Sequence, residues 1–270
     1  MSAFDMTPFF FGPTERRLYG VYHPPAPAQR TAQQVLLCPP FGQEAVRVQL
    51  LHRLLADQLA RQGIHVMRFD YHGTGESAGA DADATLTEWC DDILTAHDEL
   101  SRRTRAHSTT WLGSRLGGTL AMMASSMGKG TPERIVLWEP ILDGPRYLHE
   151  LGKAHAQHSF SPFIHAQRPA EQVKDEVLGF AVSETWIRQL QAVGAAQLNP
   201  TCAEVCVHIA SQEGAVTLGL AKRLQARGVA WQHLNTPTRI DWFQEEARGS
   251  TVAPPELLRL LAFAATGAAA

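Results

Sequence analysis

Short apolar runs along the chain alternate with longer stretches in which apolar residues recur every three or four positions. Residues 9–11 and 17–23 are strand-like and flank the turn-forming Gly12-Pro13-Thr14-Glu15, which predicts an opening antiparallel pair. Residues 34–38 (QVLLC) make a β-rich run that Pro39 and Pro40 stop, because proline has no N–H for a ladder. Between 50 and 62 the apolar positions are 50, 51, 54, 55 and 59, one face of a helix that Gly63 closes. Strand 65–69, helix 86–103, strand 109–112, helix 118–127 and strand 135–138 follow in the same rhythm. Strands resume at 204–210 and 230–234 around a helix at 216–227, and a last helix spans 255–265. Apolar strands alternating with helices predict a mostly parallel sheet covered on both faces.

Residues 143–200 break that rhythm. They are polar and His-rich, interrupted by Pro162 and Pro169, with a helical but no strand signal. The pattern predicts a helical cap between two parts of one α/β core, 1–142 and 201–270. Such a cap would lie over the C-terminal edge of the sheet, where these folds bind ligands. His149, His155, His158 and His165 stand 6, 3 and 7 residues apart, so only 155 and 158 share a helical face. They are expected to be solvated.

Composition narrows the function. The 270 residues suffice for one large core, and 24 Lys plus Arg against 27 Asp plus Glu give a net charge of −3. So near-neutral a balance offers no basic field, and no nucleic-acid partner is expected. Cys38, Cys90, Cys202 and Cys206 form no CxxC pair and no zinc-site spacing, so reduced, buried thiols and no metal or other cofactor are expected. No apolar stretch approaches 18 residues, and the first residues lack a basic segment followed by an apolar run. A cytoplasmic location without a membrane span is the expectation.

Three segments carry a resemblance. CPPFGQE (38–44) follows a strand as an oxyanion loop does, and RFDYHGTGES (68–77) contains a D-x-x-G-x-G-x-S turn. LGSRLGGTLA (112–121) stands where a nucleophile elbow G-x-S-x-G-G-x-x-A belongs, with Gly113, Gly117, Gly118 and Ala121 supplying the small residues of a tight strand-to-helix turn. In this order they resemble the α/β-hydrolase superfamily, which implies an α/β-hydrolase fold: a mostly parallel sheet, helices on both faces and a helical cap. RFDYHGTGES, TEWCDD (87–92) and IVLWEPILDG (135–144) are more narrowly similar to hydrolase-like proteins associated with bacterial exosortase and exopolysaccharide loci.

All three triad positions that the resemblance implies are substituted. The elbow reads Gly113-Ser114-Arg115-Leu116-Gly117, so arginine holds the nucleophile slot and Ser114 falls one residue early. The acid slot, G-x-x-D, reads Ser211-Gln212-Glu213-Gly214, and no histidine occurs in 234–270, where Arg239-Ile240-Asp241-Trp242-Phe243 stands instead. A guanidinium has five donors and no acceptor, so it neither attacks a carbonyl nor takes a proton at neutral pH.

The expectation is therefore a binding or accessory protein instead of a serine hydrolase. Arg115, at a helix N-terminus facing the loop of Phe41 and Gly42 and next to Leu116, could clamp the carboxylate or phosphate of a small anionic or acyl ligand. Equally, a pocket carboxylate could neutralise it, Glu139 before Glu44, Glu213 and Asp241. The alternative is an active esterase or acyl hydrolase that uses Ser114 or Cys38 with His72 or His208. The oligomeric state is left open by the sequence.

Overall fold

A computed structural model describes residues 6–27, 31–127, 132–159, 173–196, 198, 203–243 and 253–267. In chain order the strands are β1 (Thr7–Phe11), β2 (Leu18–His23), β3 (Gln33–Cys38), β4 (His65–Phe69), β5 (Ser108–Ser114), β6 (Arg134–Trp138), β7 (Glu176–Val177), β8 (Phe180–Ala181), β9 (Val205–Ala210) and β10 (Ala230–Asn235). The helices are α1 (Gly42–Arg61), α2 (Leu86–Thr104), α3 (Leu116–Ser125), α4 (Gly144–Ser159), α5 (Glu184–Gln191), α6 (Ala215–Gln225) and α7 (Pro255–Thr266). Eight strands form one sheet in the order β1-β2-β4-β3-β5-β6-β9-β10. β2 runs antiparallel to both β1 and β4, and all other neighbours are parallel.

The central strands bury residues on both faces, which is why they carry apolar runs such as Val35–Cys38 in β3 and Ile135–Trp138 in β6. Leu36, Met67, Trp111, Ile135 and Cys206 pack into the layer of α2 and α3. Val35, Val66, Leu112, Val136 and Val207 pack into the layer of α1 and α7. Registered residues of parallel strands share a face. Gly113, Leu137, His208 and His233 lie in one register row, and Ser114, Trp138 and Ile209 in the next. The first row therefore faces the α2/α3 layer and the second the α1/α7 layer.

Two expectations about elements are corrected. Helix α1 begins at Gly42 instead of near 50. Its buried stripe runs Glu44, Val48, Leu51, His52, Leu55, Ala56 and Leu59, so its first turns face inward through polar residues that an apolar pattern does not count. Within 143–200, where no strand was expected, β7 and β8 pair as a two-residue hairpin. Leu178 and Gly179 at its turn have φ of 52° and 88°, the positive values that such tight hairpins demand. The same segment also supplies α4 and α5. Pro162, His165, Pro169 and Cys202 lie outside the described residues.

Candidate functional site

β5 passes into α3 through Arg115 alone, whose φ of 51° and ψ of −124° are strained for a residue with a side chain. Its backbone N–H donates to the Trp138 carbonyl at 2.9 Å, fixing the turn to β6. Space explains the surrounding glycines. A Cβ on Gly113 would lie 2.5 Å from the Gly118 backbone, and one on Gly117 would lie 2.3 Å from the Cys38 and Pro39 carbonyl oxygens. The loop after β3 is thus pressed directly onto the start of α3.

The Arg115 side chain lies among groups from four segments. Nε donates to Glu44 Oε1 at 3.0 Å, and the Tyr147 hydroxyl donates to Glu44 Oε2 at 2.9 Å. The guanidinium carbon sits 5.5 Å from the Tyr147 ring centroid and 5.2 Å from that of Trp242, within cation–π range of both. Trp242 Nε1 donates to Glu139 Oε2 at 2.6 Å. The Glu44 side chain is 1% exposed and that of Arg115 12%. Burial pushes the Glu44 carboxyl up, while Arg115 and the Tyr147 hydroxyl pull it back. Burial likewise disfavours charge on Arg115, but Glu44 outweighs it and keeps the guanidinium protonated.

The elbow's partner is therefore Glu44 and not Glu139, which was expected first. Glu139 acts on Arg115 at longer range and is held by Trp242. Glu44 lies on the first turn of α1, close to the loop that α3 touches.

Ser114 faces the opposite layer and is fully buried. Its Oγ makes a 2.9 Å hydrogen bond with His52 Nε2 from α1, not with His72 or His208. Burial drives the His52 imidazole down to about 3, with Arg68 adding to the shift, so the ring is neutral near pH 7. The His72 ring lies against Gly79, and its backbone is tied to Asp92 and Trp89. His208 makes a 3.0 Å contact with His233. Cys38 is fully buried, and burial pushes its thiol far above the ordinary range, which opposes a thiolate nucleophile.

The serine aminopeptidase S33 family model matches residues 29–195, more than half of the chain. The chain belongs to the serine aminopeptidase S33 family. Among solved structures, this S33 member is similar to Est1E from Butyrivibrio proteoclasticus with bound ferulic acid. Identity there is 15%, 96% of each chain is covered and the TM-score is 0.61. It is also similar to Thermogutta terrifontis esterase 2 phosphoramylated by tabun, at 14% identity, 96% of this chain, 93% of the other and a TM-score of 0.56. The Pyrococcus furiosus esterase Pf2001 gives 12%, 86%, 84% and 0.56 in the same measures. At such identities the likeness shows the α/β-hydrolase fold alone. No curated protein matches the sequence. Among the described residues no helix is long and apolar enough to cross a membrane.

Beside the elbow of this S33 member lies a cavity of about 930 Å³ between the β1–β2 hairpin, the first turns of α1 and the loop after β4. Phe41 and Gly42 line it, together with Trp89, Phe180, His52 and Arg68. Arg115 does not line it. Among the described residues the Arg68 side chain makes one hydrogen bond, from Nε to His23 Nε2 at 3.2 Å.

The remaining expected contact residues fall elsewhere. Leu116 is fully buried in the core layer of α3. Asp241 Oδ1 accepts from the Phe243 backbone N–H at 3.1 Å. Glu213 accepts from Trp231 Nε1 at 3.0 Å and stands 3.9 Å from His233. Sequence reasoning missed His52, Tyr147 and His233. A helical wheel begun at Gly42 would have found the first, since Glu44 and His52 are eight residues apart on one face of α1.

Proposed function

We propose that this S33-family chain is a non-hydrolytic binding protein that holds an amphipathic carboxylate or phosphate in the cavity beside the elbow. The observation that carries the reading is Arg115 in the nucleophile slot, paired with buried Glu44 and flanked by Tyr147 and Trp242. A hydrolase of this fold needs a hydroxyl at that place and an imidazole to deprotonate it. The slot here offers only donors, and its charge is countered inside the protein. The anion site is accordingly moved from Arg115 to Arg68, which lines a cavity walled by Phe41, Trp89 and Phe180. The narrower likeness to hydrolase-like proteins of exosortase and exopolysaccharide loci fits an accessory role in polysaccharide export.

One observation favours the rival reading of an active esterase, the Ser114–His52 hydrogen bond. Two facts weigh against it. Ser114 has no exposed surface. A base of pKa about 3 carries a proton in roughly one molecule in ten thousand at pH 7, far from the match general-base catalysis needs.

Intact mass after incubation with a broad fluorophosphonate separates the two. No adduct on folded protein is expected, and a stoichiometric adduct mapped to Ser114 would overturn the binding reading. Medium-chain carboxylates or alkyl phosphates are expected to raise the melting temperature of the wild type. Arg68→Met should abolish that rise, and an undiminished rise in the variant would remove Arg68 from the site.

A further inference from the structure

We propose that His208, Glu213 and His233 form a binding site for one divalent transition-metal ion of the zinc class. The parallel register of β9 and β10 sets His208 and His233 opposite one another on the same face. Glu213 joins them from the turn that leads into α6. The two Nδ1 atoms are 3.0 Å apart, Glu213 Oε1 is 3.9 Å from His233 Nδ1, and the three donor atoms lie within 4.8 Å of one another.

The chemistry of the donors suits such an ion. Two imidazole nitrogens and a carboxylate oxygen favour zinc, cobalt or nickel over magnesium or calcium, which prefer all-oxygen shells. Zinc–nitrogen bonds of about 2.0–2.1 Å in a tetrahedral shell hold neighbouring nitrogens about 3.3 Å apart, a few tenths of an ångström beyond the present separation. From the present separations of 3.9 Å to His233 and at most 4.8 Å within the group, Glu213 must close by no more than about 1.5 Å to reach the same shell. Its side chain and that of His233 are 24% and 20% exposed, which leaves both room to move and a fourth position open to water.

The surroundings hold the donors in place. The Trp231 ring stacks on His208 at 5.5 Å between centroids, and Trp231 Nε1 donates to the Glu213 carboxylate. Ligating side chains are commonly oriented by outer hydrogen bonds of this sort. The site lies two strands from β5, distinct from the Arg115 cluster, and an ion there would tie edge strand β10 to β9 and to the turn before α6.

The test uses the full chain stripped with a chelator and titrated with Co²⁺, followed by visible absorption, with Zn²⁺ as competitor and thermal unfolding as a second readout. One equivalent of Co²⁺ is expected to bind with tetrahedral-type bands, and the melting temperature should climb with Zn²⁺ concentration. His233→Gln and Glu213→Gln should each weaken binding at least tenfold while the metal-free melting temperature holds. The second variant decides if the first fails to fold. Absence of one-equivalent binding to the folded wild type would overturn the site. So would binding left unchanged in both variants, since the ion would then be held by other histidines such as His155 and His158.

Discussion

Arg115→Ala is expected to cost the fold about 3–5 kcal/mol, read from the denaturant midpoint, because it leaves the Glu44 carboxylate buried without its counter-charge. Glu44→Ala should cost a similar amount for the mirror reason. Replacing the whole cluster is a different matter. The triple variant Arg115→Leu, Glu44→Leu, Tyr147→Phe removes both charges and also the hydroxyl that would lose its acceptor, so it should recover most of the loss. The pH dependence of Arg115→Ala follows from Glu44, whose carboxyl burial already raises. Without the guanidinium it rises further, and the folded state then holds a proton that the unfolded chain has released. Stability of the variant therefore falls as pH climbs above about 4.5, the ordinary range of a glutamate, and its gap from the wild type narrows as pH drops through that range. A variant within about 0.5 kcal/mol of the wild type at neutral pH would mean that water already solvates the pair.

Gly117→Ala is the second large effect. The new methyl would meet two backbone oxygens, of Cys38 and Pro39, at 2.3 Å, and neither can rotate away as a side chain would. A loss above about 4 kcal/mol, or failure to fold, is expected. Gly219→Ala is the matched control. Gly219 lies inside α6, and its added Cβ would meet nothing closer than Arg223 Nη1 at 3.8 Å. Alanine there should stabilise by up to about 1 kcal/mol through helix propensity alone. A well-folded Gly117→Ala protein would show that the loop after β3 can lift off α3.

Much of the frame was legible because strands buried on both faces announce themselves as unbroken apolar runs, as in QVLLC at 34–38. The elbow was legible for a steric reason: Gly113, Gly117 and Gly118 stand where a side chain would strike backbone. The start of α1 was not, because Glu44 and His52 occupy its inward stripe and a polar residue on a buried face looks like an exposed one. The partner of Arg115 was misjudged for a related reason. Glu139 lies one residue beyond β6 and looked nearest, but its carboxylate is engaged by Trp242, a residue 103 positions away. His208 and His233 lie 25 positions apart, and only the pairing of β9 with β10 brings their rings together.

The cavity and the elbow are built from different stretches of chain. One wall of the cavity comes from the β1–β2 hairpin, which pairs with the sheet only through β4 and ends it at β1. Arg115, Glu44, Tyr147 and Trp242 owe nothing to that hairpin. Residues such as Pro8, Phe10, Tyr19 and Val21 are thus free to drift, or to be exchanged as a block, without disturbing the turn into α3. Ligand preference in this chain is evolvable separately from the motif by which its ancestry is read.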